Sequence, residues 1–240
     1  MSHVKNAEAF TRVVSLFTGF GGMYNPGRPT LQMEALTSQV NQIQLVLEAV
    51  KTAKANYDWH VNQRKQAFDK MPRILAGILR RLEASGVKQE QLEDARGFVH
   101  QFTGVTSRSR KPLASENVES TPAPKGTSLQ LAFAARVDAF SKLVAALKTE
   151  ALYDPFETGY KIPELEASVQ ELTQLNHALD KARKEWRLKL VDRNKVLYIN
   201  ENSMMYAVRA IKKYIRGLFG HDSGEYALMK ELDVKQPRNS

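Results

Sequence analysis

The stretch Thr30-LQMEALTSQVNQIQLVLEAVKTAKANYDWHVNQRKQAFD-Lys70 decides the fold of this chain. Its apolar and aromatic residues recur at alternating steps of four and three, which is the spacing of one face of a long helix that packs along another helix. We call this row of positions the seam; it consists of Leu36, Val40, Ile43, Leu47, Val50, Lys54, Tyr57, Val61, Arg64 and Phe68. The seam predicts a long helix that ends before Pro72.

The same pattern returns, position for position, in the second half of the chain. The second seam consists of Leu165, Val169, Leu172, Asn176, Leu179, Arg183, Trp186, Leu190, Arg193 and Leu197. Apolar, aromatic and basic positions mostly recur in register. We therefore predict an all-α protein, an elongated helical bundle built from two tandem pseudo-symmetric helical repeats with two long central helices.

Shorter helices are predicted on either side of the two long ones. In the first half they follow from an apolar face around Phe10, from Arg73–Ser85 after Pro72, and from Gln89–Thr103. The second half repeats the order with Leu129–Lys148, a long helix from Pro163 to Leu197, a break at Asn200–Ser203, Met204–Phe219 and Glu225–Glu231. The motif Tyr24-Asn-Pro precedes the first long helix, and Tyr153-Asp-Pro precedes the second.

Composition divides the chain into three segments. Residues 105–127 are rich in Ser, Pro and charge and offer little to bury, so we interpret them as a linker. Residues 1–104 then form the first repeat, and residues 128–240 form the second repeat, which packs with the first into one bundle.

Charge and cysteine content restrict the classes of function. The chain of 240 residues has a net charge of +9 and no cysteine, which excludes disulfides, thiolate metal sites and cysteine nucleophiles. No apolar run is long enough to span a bilayer and no secretory signal is recognisable, so the expectation is a cytoplasmic protein. A basic surface permits acidic partners but is also ordinary for a soluble protein.

Four basic residues interrupt the two seams at equivalent positions. Lys54 corresponds to Arg183, and Arg64 corresponds to Arg193. A charge at a seam position is costly unless it is paired, so these residues either have a structural role, in ion pairs or by extending past the core edge, or form an anion site between the halves.

Two further groups of cations are candidate anion-binding sites. The helix Met204–Phe219 has an apolar face and a basic face, and the basic residues are Arg209, Lys212, Lys213 and Arg216. This composition is typical of a helix that faces nucleic acid or a membrane surface, and also of an ordinary surface helix. Arg108, Arg110 and Lys111 form a short cationic run in the linker, where they could contact phosphates or remain solvated.

No pattern in the sequence predicts catalysis, a metal or a cofactor. The five histidines are scattered, with no HExxH motif, and none shows the Glu-x-x-His spacing of di-iron bundles. The glycines around Tyr24 have the spacing of a phosphate-binding loop, but the lysine and the following Ser or Thr are missing. An enzyme that gathers carboxylates or arginines between the repeats is the remaining catalytic alternative.

The whole arrangement resembles a bacterial family of hypothetical tandem-repeat helical proteins with no assigned activity. The resemblance depends on Tyr24-Asn-Pro, Tyr153-Asp-Pro, Arg193-Asn-Lys-Val-Leu-Tyr198 and Leu218-Phe-Gly-His-Asp-Ser-Gly-Glu-Tyr226. It implies the same helical fold and adds no activity.

The function predicted from the sequence is a non-catalytic binding or scaffold protein. Its partner would be another protein or a second copy of the chain, held by the long helix faces. The alternative is binding of nucleic acid or an anionic surface through the basic helix face and the linker cations.

Overall fold

The computed structural model describes residues 3–104, 125–231 and 234, and it gives side chains for all of these except 125–131 and 231. The described residues form helices and connecting turns, without a β-strand. The helices are α1 (His3–Phe20), α2 (Met33–Ala84), α3 (Gln89–Thr103), α4 (Lys125–Thr149), α5 (Ile162–Asn194), α6 (Met204–Phe219) and α7 (Gly224–Glu231). The all-α prediction is therefore confirmed, and no helix among these residues is long and apolar enough to cross a membrane.

The chain divides into two compact units that do not coincide with its two halves. The terminal unit comprises Met1–Tyr57 and Arg183–Ser240, and the middle unit comprises Asp58–Ala182. The terminal unit therefore contains α1, the beginning of α2, the end of α5, α6 and α7. The middle unit contains the end of α2, α3, α4 and the beginning of α5.

The core of the terminal unit joins α1, the beginning of α2, the turn after α5, α6 and α7. Phe10, Leu36 and Ile211 are fully buried in it. The apolar positions of α1 recur at steps of three and four, so the helix buries one face. The remaining buried members are Ala7, Val13, Val14, Phe17, Tyr24, Leu31, Val40, Ile43, Leu197, Met204, Ala207, Val208, Ile215 and Met229.

The core of the middle unit is formed by four helices. It joins the end of α2 and α3 to α4 and the beginning of α5, and Phe140, Leu165 and Ile78 are buried in it. Its other buried residues include Phe68, Met71, Leu75, Leu82, Leu92, Ala95, Phe102, Leu143, Val144, Leu147, Tyr153 and Leu172.

The helix boundaries at α3 and α6 follow the sequence prediction, because capping residues define them. The Ser203 hydroxyl accepts a hydrogen bond from the Tyr206 backbone N–H at 3.3 Å, which satisfies a free donor at the start of α6. Gly104 ends α3 with a φ of 71°, the left-handed conformation that glycine adopts without steric cost.

Pro72 does not end the first long helix, and the predicted break there is wrong. α2 continues through Pro72 to Ala84. Pro72 is exposed, whereas Met71 and Leu75 beside it are buried in the middle unit. Burial of these side chains on both sides of the proline offsets the cost of about 3 kcal/mol that a proline imposes inside a helix.

Two other boundaries differ from the prediction. α4 begins at Lys125, so residues 125–127 of the predicted linker are helical, and residues 105–124 lie outside the described part of the chain. α5 ends at Asn194 and continues as a π-helical turn, Lys195–Ile199, before the predicted break at Asn200–Ser203.

A buried tyrosine closes the loop that enters each long helix. The Tyr24 hydroxyl donates to the Leu31 carbonyl oxygen at 2.8 Å, and the Tyr153 hydroxyl donates to the Tyr160 carbonyl oxygen at 3.0 Å. Burial raises the pKa of Tyr153 to about 12 and also raises that of Tyr24. Both hydroxyls therefore remain protonated donors at neutral pH.

Gly77 is required by the ring of Tyr160, which packs directly on the α2 backbone. A Cβ atom at Gly77 would lie 2.5 Å from the Tyr160 Oη atom. The Arg81 guanidinium also lies over the Tyr160 ring, at 3.5 Å from the ring centroid, and Arg81 donates to the Gly77 carbonyl oxygen at 3.1 Å. A glycine inside a helix is accordingly retained for close packing.

Substitution of Gly77 by alanine tests this contact. Gly77→Ala should lower the free energy of unfolding by about 1–3 kcal/mol, because the added methyl group displaces Tyr160. The matched control is Gly97→Ala in α3, where an added Cβ meets nothing within 4 Å, and there we expect a gain of about 0.5–1 kcal/mol from helix propensity. Urea unfolding followed by circular dichroism measures both; equal effects of the two substitutions would contradict the packing role.

Candidate functional site

The predicted basic face of α6 forms an exposed stripe of three cations. Arg209, Lys213 and Arg216 are exposed, and their spacing of four and three places them on one side of the helix, opposite the buried Ile211 and Ile215. Among the described residues, no carboxylate forms an ion pair with any of these three. Lys212, the fourth predicted member, is half-buried and makes a contact of its own.

An arginine from another part of the terminal unit lies against the first turn of α6. The Arg28 guanidinium lies 4.8 Å from the centroid of the exposed Tyr206 ring, and it donates a hydrogen bond to the Tyr206 hydroxyl. Tyr206 precedes Arg209 by three residues, so its ring lies on the same side of α6. We call Arg28, Arg209, Lys213 and Arg216 the basic stripe. Sequence reasoning missed Arg28, because no pattern links it to α6.

The linker cations Arg108, Arg110 and Lys111 lie outside the described residues. Their proposed contact with phosphates stays a prediction.

The first pair of basic seam residues, Lys54 and Arg183, is half-buried in the terminal unit. The Lys54 ammonium lies 5.1 Å from the centroid of the Trp186 ring and 5.5 Å from that of the Tyr57 ring, and the two rings stack at 5.3 Å. Attraction between a cation and the faces of aromatic rings stabilises a charge at the core edge. Lys54 is therefore accommodated structurally.

Arg64, a seam residue of the second pair, is held against an aromatic ring of the middle unit. Its guanidinium carbon lies 3.9 Å from the centroid of the Phe133 ring. Arg64 also lines a cavity of about 200 Å³ with Thr173, Asn176 and Asp180. The other lining residues are Ala134, Val137 and His177. The cavity thus combines both signs of charge on an apolar base.

Arg193, the seam residue equivalent to Arg64, is 7% exposed in the terminal unit. Its guanidinium donates two hydrogen bonds to the side-chain oxygen of Asn194, at 2.9 and 3.1 Å. Burial lowers the pKa of Arg193 below its ordinary value. Among the described residues no carboxylate pairs with it, so the predicted ion pair is not found at this position.

Arg193 belongs to a polar cluster around the Tyr198 hydroxyl. The Asn6 side-chain amide donates to this hydroxyl at 3.0 Å, and His3 Nδ1 lies 2.9 Å from it. Burial and the positive charge of Arg193 lower the pKa of His3, while burial raises that of Tyr198. His3 is consequently favoured in its neutral form, in which Nδ1 can accept a hydrogen bond from the Tyr198 hydroxyl.

Arg136 is a second semi-buried arginine, and sequence reasoning missed it. It interrupts the apolar run of α4, which was the signal available. Its Nε atom donates to the Phe102 carbonyl oxygen at 2.7 Å, and its guanidinium lies 4.8–5.4 Å from the centroids of the Phe68, Phe102 and Phe133 rings. Burial lowers its pKa. These contacts indicate a structural role.

Side chains that could bind a metal ion do not cluster in the described part of the chain. Within 3–104 and 125–231, no group of three or more His, Asp or Glu side chains is arranged to hold a metal ion.

No protein-family model, curated protein or solved structure matches the chain. The resemblance to a bacterial family of tandem-repeat helical proteins therefore stays a prediction, and function has to be argued from the residues themselves.

The interaction between Arg193 and His3 can be measured directly. Arg193→Met removes a positive charge near the imidazole, so we expect the pKa of His3 to rise toward its ordinary value. The pKa of His3 is lower in the folded state than in the unfolded chain, so the folded state favours the neutral imidazole. The stability that this preference contributes is fully present above the unfolded-state pKa and is lost as the pH falls through the folded-state pKa. The stability that is lost on acidification should therefore be smaller in Arg193→Met.

An NMR titration of the His3 imidazole checks this expectation. Arg209→Met, which removes an exposed arginine of the same unit, is the matched control and should leave the His3 pKa unchanged. A His3 pKa that does not move in Arg193→Met would show that the charge of Arg193 does not contribute to its lowering.

Proposed function

We propose that the chain consists of two tandem pseudo-symmetric helical repeats and acts as a non-catalytic protein-binding or scaffold protein. Residues at corresponding positions of the two halves are buried alike, which supports the two repeats. Phe10 and Phe140, Tyr24 and Tyr153, Leu36 and Leu165 are buried in the terminal and the middle unit respectively. The tyrosine hydroxyls also bond to carbonyl groups at the same distance along the chain.

The observation that carries the binding role is the exposure of Phe156. This side chain is 93% exposed, and the neighbouring Leu152 is 55% exposed on the same loop. The aromatic ring therefore contributes almost nothing to its own core, and aromatic residues are enriched where proteins contact partners.

The loop that presents Phe156 is fixed on both sides by contacts within the middle unit. Tyr153 bonds to the Tyr160 carbonyl across the loop, and Glu157 forms an ion pair with Arg81 at 3.0 Å. The Gly159 backbone N–H also donates to the Glu164 carboxylate. A ring displayed by a loop with this many internal bonds loses little conformational entropy when it enters a partner's pocket. Phe156 is accordingly the proposed anchor of a protein interface.

Site-specific photo-crosslinking tests this interface. A photoreactive phenylalanine analogue at position 156, and the same analogue at the exposed control position Gln170, would be introduced into the chain in its native host. A partner captured only from position 156 is then purified and titrated with the unmodified chain and with Phe156→Ala.

We expect Phe156→Ala to weaken this binding by at least about tenfold, as a buried aromatic anchor does, without a change in the unfolding midpoint. Thr158→Ala in the same loop is the control and should bind normally. Capture that is equal at positions 156 and 170, or unchanged affinity of Phe156→Ala, would contradict the proposal.

The basic stripe on α6 favours a second candidate function, the binding of nucleic acid or another phosphate-rich surface. Three exposed cations on one helix face, extended by Arg28 over the Tyr206 ring, are suited to contacts with a phosphate backbone. Such binding must weaken steeply as salt rises, because counterions are released from the polyanion.

Fluorescence anisotropy with labelled duplex DNA, and with an acidic polypeptide as a reference polyanion, tests this candidate at several salt concentrations. The triple variant Arg209→Gln, Lys213→Gln, Arg216→Gln should weaken DNA binding and reduce the slope of log affinity against log salt by about 3.

The matched control removes the same charge from exposed positions of α5, through Lys181→Gln, Lys184→Gln and Arg187→Gln. It should keep most of the salt slope. Equal losses of DNA affinity in both triple variants, or equal affinity for DNA and the acidic polypeptide, would contradict this candidate. Either result would show that the stripe acts only through the general positive charge of the chain.

A further inference from the structure

Another cavity of the middle unit lies between α3 and the end of α4, beside the last turn of α2. Its volume is about 190 Å³. Leu82, Ala95 and Leu147 are buried and form an apolar floor. The remaining lining residues are Gln91, Asp94, Ala146, Thr149 and Glu150. A cavity of about 150 Å³ holds a benzene molecule, so this one has room for a phenyl ring.

The loop that presents Phe156 adjoins this cavity through two contacts. Glu150, which lines the cavity, accepts a hydrogen bond from the Leu152 backbone N–H at 3.2 Å. Glu157, which follows Phe156, pairs with Arg81 at 3.0 Å, one residue before the cavity wall on α2. The Phe156 ring is 93% exposed, so it does not fill the cavity of its own chain. An exposed aromatic anchor and a cavity of matching size therefore lie on neighbouring parts of one surface.

The charges beside the ring and beside the cavity are complementary. The Lys161 ammonium lies 5.9 Å from the centroid of the Phe156 ring. The cavity carries two carboxylates, those of Asp94 and Glu150. Lys161 and Asp94 are both exposed, and neither forms an ion pair within the described part of the chain. A ring accompanied by a lysine thus matches an apolar floor accompanied by carboxylates.

We propose that two copies of the chain form a two-fold symmetric dimer through this surface. The proposal rests on the protein-binding function argued above and names a second copy as the partner of Phe156. The Phe156 ring of each copy enters the cavity of the other, and each Lys161 pairs with the other copy's Asp94. In a two-fold interface the same surface serves both copies, so a surface with both an anchor and its cavity is complementary to itself. A different protein would have to supply a ring and a pocket separately.

The size of the interface sets the expected affinity. A buried aromatic side chain removes about 150–250 Å² from water, so two anchors and their surroundings form an interface at the low end of the range, below about 1,200 Å². We expect a reversible dimer with a dissociation constant of about 1–100 µM. Sedimentation velocity of the full chain, from about 1 µM to about 500 µM, brackets this constant and measures it.

Two variants test the anchor and the cavity separately. Phe156→Ala should raise the dissociation constant about a hundredfold, because a two-fold dimer loses two anchors worth about tenfold each. Ala146→Leu places a larger side chain in the cavity, leaves the loop intact and should also prevent dimerisation. Ala145→Leu, at the neighbouring position of α4 outside the cavity lining, is the matched control and should dimerise normally. All three positions are exposed, so the unfolding midpoints should not change.

An exchange of charges shows whether the contacts run between copies. Asp94→Lys and Lys161→Asp should each weaken dimerisation by at least about tenfold, because like charges then meet. A mixture of the two variants should form a heterodimer with nearly the original affinity, since each charge at position 161 then faces an opposite charge at position 94. Mixing cannot restore a contact within one chain.

Three results would overturn the proposal. They are a chain that stays monomeric throughout the concentration range, a dimer that survives both Phe156→Ala and Ala146→Leu, and charge variants that mixing does not restore. The broader protein-binding function would stand in each case if position 156 captured a different protein. That function fails on its own test, equal capture at positions 156 and 170.

Discussion

The structure depends on burial of one apolar seam along each long helix. Leu36, Val40 and Ile43 are buried in the terminal unit, and Leu165 and Leu172 are buried in the middle unit. Removal of such side chains from water stabilises the fold by about 1.5–3 kcal/mol each. The long helices alone would leave their seams exposed to water. In the terminal unit, α1 with its buried Phe10 completes the core together with α6 and α7. In the middle unit, α4 with its buried Phe140 does so together with α3.

The basic residues of the seams show how the fold tolerates charge at its core edge. Lys54 lies over Trp186, Arg64 lies over Phe133, and Arg193 bonds to the Asn194 side chain. Aromatic faces therefore contact Lys54 and Arg64 at the core edge, and a side-chain amide contacts Arg193. Because aromatic rings are apolar, packing of Lys54 and Arg64 against them keeps the seam apolar and also orients the two charged groups.

The exposed features of the molecule differ in kind from these internal contacts. Phe156 is presented by a loop whose ends are joined by the bond from Tyr153 to the Tyr160 carbonyl, whereas three cations of the basic stripe extend from α6 and the fourth, Arg28, lies over the Tyr206 ring. The cavity beside Arg64 depends instead on side chains from several elements of the middle unit. These three features lie on different elements, so each can be altered without disturbing the others.

The sequence by itself determined the helical class, the limits of α3 and α6, and the basic face of α6, because periodicity, capping residues and glycine are local signals. It misplaced a break at Pro72, since burial of Met71 and Leu75 outweighs the local cost of proline. Only the tertiary structure decided that each compact unit draws on both halves, that Arg28 lies over Tyr206, and that Arg64, Asn176 and Asp180 share one cavity. These pairings join residues far apart in the chain, and their energies depend on packing geometry that no local pattern encodes.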